Sequence, residues 1–175
     1  LLRSGYNYWA LGHIHKKRLL ARETTTVLYP GCLQGRKIAE TGEKGAVVVT
    51  VNEHSGVATE FVALNRIEWA EAQVAIGENA SEELLAEAIE AQANELAAKS
   101  PPRLDGLIVR WQLVGQMERN VSAELQVLKH LRESESLLES RPFIWTESID
   151  AGHVVPPLDL ELLAKEPTPR GDLVR

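Results

Sequence analysis

The sequence predicts an α+β fold in two parts: a β-rich opening over residues 1–65 and a strand–helix–strand–helix–strand unit over about 66–150. Three observations predict it. Short apolar and β-branched runs, punctuated by glycine and proline, fill the chain up to Leu64. Past Asn65 two stretches carry apolar residues at helical spacing. They are Leu85, Ile89, Ala93 and Leu96 in the first, and Leu125, Leu128 and Leu131 or Arg132 in the second. The runs before, between and after these helices are strand-like, and such a unit closes into a small sheet with two helices on one face.

Taken in order, Tyr6 to Leu11 is an apolar and aromatic run that stops at Gly12, as a buried strand feeding a loop does. Gly12-His13-Ile14-His15 is that loop, and the basic Lys16-Lys17-Arg18 follows it. Thr24 to Tyr29 is β-branched and ends at Pro30-Gly31, which makes it the next strand. Gly45 to Val51 and Gly56 to Leu64 form a β-hairpin across Asn52-Glu53-His54-Ser55. Ile67 to Ile76 is a strand broken by Gly77-Glu78-Asn79. Ser81 to Lys99 is a helix capped by Ser81, or by Asn79 with Glu82, and stopped by Pro101-Pro102. Leu107, Val109, Trp111 and Leu113 alternate with Ile108, Arg110 and Gln112 in a half-buried strand. Val121 to about Ser134 is the second helix and Phe143 to Ile149 the last strand. Residues 151–175 read as an extended tail, proline-rich and charged from Pro156.

Hydrophobic residues at 44% and charged residues at 25% make a globular composition rather than a disordered one. No apolar run approaches the roughly 20 residues of a membrane-spanning helix, and Leu1-Leu2-Arg3-Ser4 is not a secretory signal. No membrane partner is therefore expected. Cys32, the single cysteine, has no internal disulfide partner and fits a reducing cytoplasm. A net charge of −6 argues against a broad basic grip on nucleic acid, so any DNA contact is expected to be local and metal-assisted. An opening Leu1 in place of methionine is expected of an excerpt from a longer protein.

The chemistry-bearing feature is Gly12-His13-Ile14-His15, two imidazoles two residues apart at the mouth of a strand. Neutral imidazole is the commonest protein ligand for divalent transition metals, and a glycine beside it lets a metal or phosphate approach closely. Alone, an H-x-H is as readily one surface histidine and one loop cap. Its context adds Tyr8-Trp9-Ala10-Leu11 before it, Tyr29-Pro30-Gly31-Cys32 after it, and Glu43-Lys44-Gly45 further on. In order and type these segments resemble the last metal-binding motif and following strand of calcineurin-like metallophosphoesterases, in the branch of SbcD-type DNA repair exonucleases. The resemblance covers about residues 6–64, and the remainder resembles that branch's capping domain in layout.

The resemblance implies that residues 1–65 are the C-terminal edge of a phosphoesterase β-sandwich and that residues 66–150 are an α/β capping domain. It implies two divalent metal ions, usually manganese, with His13 on one ion and His15 on the other. It implies DNA as substrate and an SMC-like, ABC-type ATPase as partner of the intact protein. The twelve residues before His13 hold none of the family's D-x-H, G-D or G-N-H-D motifs. Two ligands cannot fix two ions, so this chain alone is expected to be inactive as a nuclease. Two other readings compete: a non-catalytic interaction or oligomerisation module, favoured by the acidic balance, and a phosphoesterase for small phosphoesters. A first strand without sheet neighbours would leave Trp9 and Leu11 exposed, or covered by self-association as a homodimer.

Other residues weigh less. Arg36, just past the Tyr-Pro-Gly turn, is a candidate for bidentate contact with a substrate phosphate, equally readable as a solvated loop residue. Cys32 reads as a small, inert, buried thiol. Lys16, Lys17 and Arg18 read as a solvated face. His54, His130 and His153 have no partner at metal-ligand spacing. Trp69, Trp111 and Trp145 fall in strands and read as core. Glu82, Glu83, Glu87 and Glu90 form an acidic helix face suited to solvent or a protein partner.

Overall fold

The computed structural model describes residues 1–22, 25–52, 56–77, 80–116 and 121–155. Expectations for Thr24, for the hairpin turn with His54, for Asn79 as a cap, and for the tail from Pro156 lie outside these residues. Elements follow in the order β1 (Tyr8–Ala10), β2 (Arg18–Arg22), β3 (Thr26–Tyr29), a 3₁₀ turn (Ile38–Glu40), β4 (Gly45–Asn52) and β5 (Gly56–Ala63). Then come β6 (Ile67–Ile76), α1 (Glu82–Lys99), β7 (Gly106–Gln116), α2 (Val121–Glu133), α3 (Glu135–Leu138) and β8 (Phe143–Val155). The mixed α+β composition agrees with the sequence reading.

The opening residues build two small sheets. In one, β3 lies between a parallel β1 and an antiparallel β2, with the register slipping between Leu19 and Ala21. In the other, β4 and β5 pair in unbroken antiparallel register from Gly45–Ala63 to Asn52–Gly56. Strand β2 is a correction to the basic-loop reading. Its sequence, Arg-Leu-Leu-Ala-Arg, has no β-branched residue to announce a strand, and only pairing with β3 makes it one. Lys17 is exposed, as expected of a solvated face, and its ammonium also lies 3.8 Å from the centroid of the Phe61 ring.

Strands β6, β7 and β8 form a wholly parallel sheet in that order, as successive strand–helix–strand crossovers produce. Helices α1 and α2 pack on one another and on this sheet. Along β7 the predicted alternation holds: Leu107, Val109, Trp111 and Leu113 are buried while Ile108, Arg110 and Gln112 are half-buried. Helix α1 starts where Ser81 accepts a hydrogen bond from the Leu84 amide at 3.3 Å, and it buries Leu85, Ile89 and Ala93 as its spacing predicts. In α2 the inner positions are Val127 and Leu131, and Leu125 is 62% exposed. Val127 and Leu131, an i, i+4 pair, share the covered side of the 3.6-residue helix, Leu128 is half-buried at its margin, and Leu125, two positions before Val127, lies on the opposite side.

Two further expectations need correction. Strand β8 continues through Val155 rather than stopping at Ile149: past a register shift between Gln112 and Val114, His153, Val154 and Val155 pair with Val114, Gly115 and Gln116, and Ala151 at the shift is buried. Of the tryptophans read as core, only Trp111 is fully buried, and its Nε1 donates to the buried Thr146 hydroxyl at 3.1 Å. Trp145 is 39% exposed and lies under the Arg132 guanidinium. Arg132 reaches over the edge of the sheet, donating to the carbonyls of Thr146 and Glu147. Trp69 is half-buried and donates from Nε1 to the Gly35 carbonyl at 3.1 Å.

That last bond belongs to the junction between the two parts. The buried Asn65 accepts from the Lys44 amide at 3.1 Å and donates to the Ile67 carbonyl at 3.3 Å. Gln34 works like a strand neighbour: its Nε2 donates to the Ile67 carbonyl at 2.6 Å, and its Oε1 accepts from the Arg66 and Ile67 amides. No helix among the described residues is long and apolar enough to cross a membrane.

Candidate metal centre

The segments that carry the sequence motifs meet in space. The Leu11 amide donates to the Leu28 carbonyl at 2.9 Å, the Cys32 amide to the His15 carbonyl at 3.2 Å, and the Gly45 amide to the Cys32 carbonyl at 3.0 Å. These backbone bonds hold the histidine loop, the Tyr-Pro-Gly-Cys turn and the start of β4 as one framework. Gly31 makes the contact close. It adopts φ +89°, and a β-carbon there would lie 2.9 Å from the His15 carbonyl oxygen.

Within the loop the left-handed residue is His13, with φ +78°, and not the glycine before it. A β-carbon added at Gly12 would meet nothing within 4 Å. The bend of the loop is therefore made by His13, and Gly12 leaves the open space beside it that a close approach requires.

His13 and His15 line one open cleft of about 550 Å³, together with Lys16, Lys37, Glu40, Thr41 and Lys44. His13 is exposed, and His15 keeps 41% of its side chain accessible. His15 Nδ1 lies 2.8 Å from Oε1 of Glu40, whose side chain is only 10% accessible. The second Glu40 oxygen accepts from the Arg36 amide at 2.9 Å. The carboxyl is held below its ordinary value of 4.5, first by the bond with His15 and then by the Arg36 amide. A carboxylate only accepts, so the proton in this bond sits on Nδ1, and a neutral His15 then carries its free lone pair on Nε2.

His15, Cys32 and Glu40 also form a group whose ligand atoms all lie within 4.8 Å of one another, and His13 stands apart from it. Imidazole, carboxylate and thiol are donors suited to a divalent transition ion, so the residues fit the metal that the histidine loop implies. Cys32, read as inert, is half-buried at this site. Glu40 escaped the sequence reading altogether. Arg36 is exposed; its amide serves Glu40, while its neighbour Lys37 lines the cleft. His130 lies on α2, 3.7 Å from Glu90, and His153 is exposed on β8.

No family model matches the chain. Over 155 residues it is 34% identical to the uncharacterized metallophosphoesterase YhaO of Bacillus subtilis (strain 168), a match that covers 86% of this chain. The match supports the metallophosphoesterase family. It spans 36% of the length of that metallophosphoesterase, so the chain corresponds to about a third of its relative. Divalent metal binding is what the family implies, and in a metallophosphoesterase the His13–His15 cleft is where these residues would provide it.

Proposed function

We propose that this chain contributes the histidine loop and a capping domain to a metal-dependent phosphodiesterase of the DNA-repair exonuclease type. The observation that carries the reading is the opening of His13 and His15 onto one cleft that Lys16, Lys37 and Lys44 also line. Bound divalent ions, manganese in this reading, supply charge neutralisation at a phosphodiester and acidify a water molecule. The chain's own residues have separate tasks. His13 and His15 offer ring nitrogens, one to each of two ions. The lysines place positive charge where phosphate oxygens enter, on a chain whose net charge is −6. Residues 66–150, as the cap, help to position DNA. An SMC-like, ABC-type ATPase is the partner of the longer protein in this reading, and the exposed Glu82, Glu83 and Glu87 suit a protein surface better than a nucleic acid.

The test compares manganese-dependent cleavage of linear duplex DNA by the longer protein and by these 175 residues alone. The longer protein is expected to cut DNA and to lose more than about 100-fold of its rate on His13→Ala or His15→Ala, since even residues supporting a ligand act on that scale. The chain alone is expected to be inactive, because two histidines cannot hold two ions. A longer protein that binds no manganese and cuts no phosphodiester would sink the proposal. Cleavage of bis(4-nitrophenyl) phosphate without cleavage of DNA would favour an enzyme of small phosphoesters instead.

A further inference from the structure

Glu40 reaches His15 across 25 positions of chain, and its placement is over-determined. It closes the 3₁₀ turn Ile38–Glu40, where its amide donates to the Lys37 carbonyl at 2.8 Å. The segment carrying it is fastened to the start of β6 on both sides. Ahead of Glu40, Gln34 pairs with the backbone of Ile67, and the Gly35 carbonyl accepts from Trp69 Nε1 at 3.1 Å. Behind it, the Gly42 amide donates to the Trp69 carbonyl at 3.1 Å. One carboxylate oxygen is occupied by the Arg36 amide and the other faces Nδ1, so the carboxylate has little freedom to turn away.

We propose that Glu40 is a positioning residue for His15: it fixes the Nδ1–H tautomer and leaves Nε2 as the lone pair His15 offers to the cleft. The inference rests on the reading of His15 as a metal ligand and deepens it. A metal-bound histidine ordinarily needs such a partner on its other nitrogen, because the partner sets both tautomer and ring orientation. Here the partner's own position depends on β6. The parallel β6–β7–β8 sheet thereby takes part in shaping the metal centre.

The test uses the full chain, with the tautomer of His15 read from its ring-nitrogen NMR signals without metal. Mn2+ affinity is then read, in the parent and every variant alike, from paramagnetic broadening of backbone amide signals around the cleft as Mn2+ alone is added. In the parent chain Nδ1 is expected to be the protonated nitrogen. E40A is expected to release His15 towards the Nε2–H tautomer and to weaken Mn2+ binding about 10–100-fold. Glu40 lies outside the hydrophobic core cluster, so amide dispersion is expected to survive the change. E40Q keeps an acceptor for Nδ1–H and is expected to retain the tautomer and most of the affinity. If Glu40 ligated the ion directly, E40Q would lose as much as E40A, and the proposal would fall. Trp69→Phe removes only the bond to Gly35 and is expected to shift the tautomer part of the way. His15→Ala separates this proposal from the metal reading. If it weakens binding while E40A does not, the positioning role falls and the metal reading stands. If neither weakens binding, both fall.

Discussion

His13 sits in the left-handed region, which a β-carbon disfavours and which histidine enters more readily than most residues. Strain of this kind survives where the surroundings enforce it, and here the neighbouring loop residues are tied to the turn after β3. Relieving it has a measurable consequence. His13→Gly removes about 1–2 kcal/mol of left-handed cost and restores about 0.5–1 kcal/mol of chain entropy to the unfolded state. The variant is therefore expected to unfold later in urea, by about 0.5–1 kcal/mol, while metal binding falls. His13→Ala keeps the backbone penalty and is expected to gain nothing. A glycine variant less stable than the parent would show that the ring makes contacts worth more than the strain. At this scale legibility depended on distance along the chain. His13 and His15 share a local motif and were readable. Glu40 follows no period and carries no motif, and only the docking of its turn on β6 brings it to His15.

Among the elements, the hairpin β4–β5, strand β6 and helix α1 follow from alternation, turn residues and caps that are local in sequence. Strand β2 and the far end of β8 do not, because each exists only by pairing with a neighbour, β3 in one case and β7 in the other. The β7–β8 pairing also carries a charge test. Arg110 bonds the Glu147 carboxylate at 3.0 and 3.2 Å, and the Ser148 hydroxyl adds a further donor. The Arg110 bond comes first in holding the Glu147 carboxyl below its ordinary 4.5, with Ser148 and the charges of Arg110 and Arg132 adding to it. A depressed folded pKa favours the native state above the unfolded value and loses that benefit as pH falls through the folded one. Parent and E147Q are therefore expected to differ most at neutral pH and to converge on the acid side of 4.5. With 31% of the Glu147 side chain accessible, screening keeps the difference under about 1 kcal/mol. Denaturation midpoints across that range check it, and a gap that widens in acid would contradict the assignment.

For the molecule as a whole, the decisive feature is where the core lies. Its fifteen clustered apolar residues all fall between Ala72 and Ala151, whereas before residue 66 the buried apolar side chains are Val27 and Leu28 alone among the described residues. The second part should then fold on its own. Residues 66–155 expressed alone lose the bonds from Gln34, from Trp69 to Gly35 and from Gly42, at about 0.5–1.5 kcal/mol each. With the two amide bonds that Gln34 accepts, five such bonds total about 2.5–7.5 kcal/mol, about half of the 5–15 kcal/mol typical of a stable domain. Cooperative unfolding and a dispersed amide spectrum are expected of this piece, and neither of residues 1–65 alone. In the full chain, amides of β7 are expected to exchange slowest, and those of β1, β2 and the β4–β5 hairpin much faster. The composition supported a globular chain and the sequence supported a boundary near Asn65, but neither disclosed this asymmetry, because β1 to β5 are as apolar in sequence as the strands that are buried. Their exposed residues, Leu19, Leu20, Val48 and Val51 among them, mark a surface without a packed core behind it. Equal protection across both parts, or a cooperative transition from residues 1–65 by themselves, would overturn this view of where the stability resides.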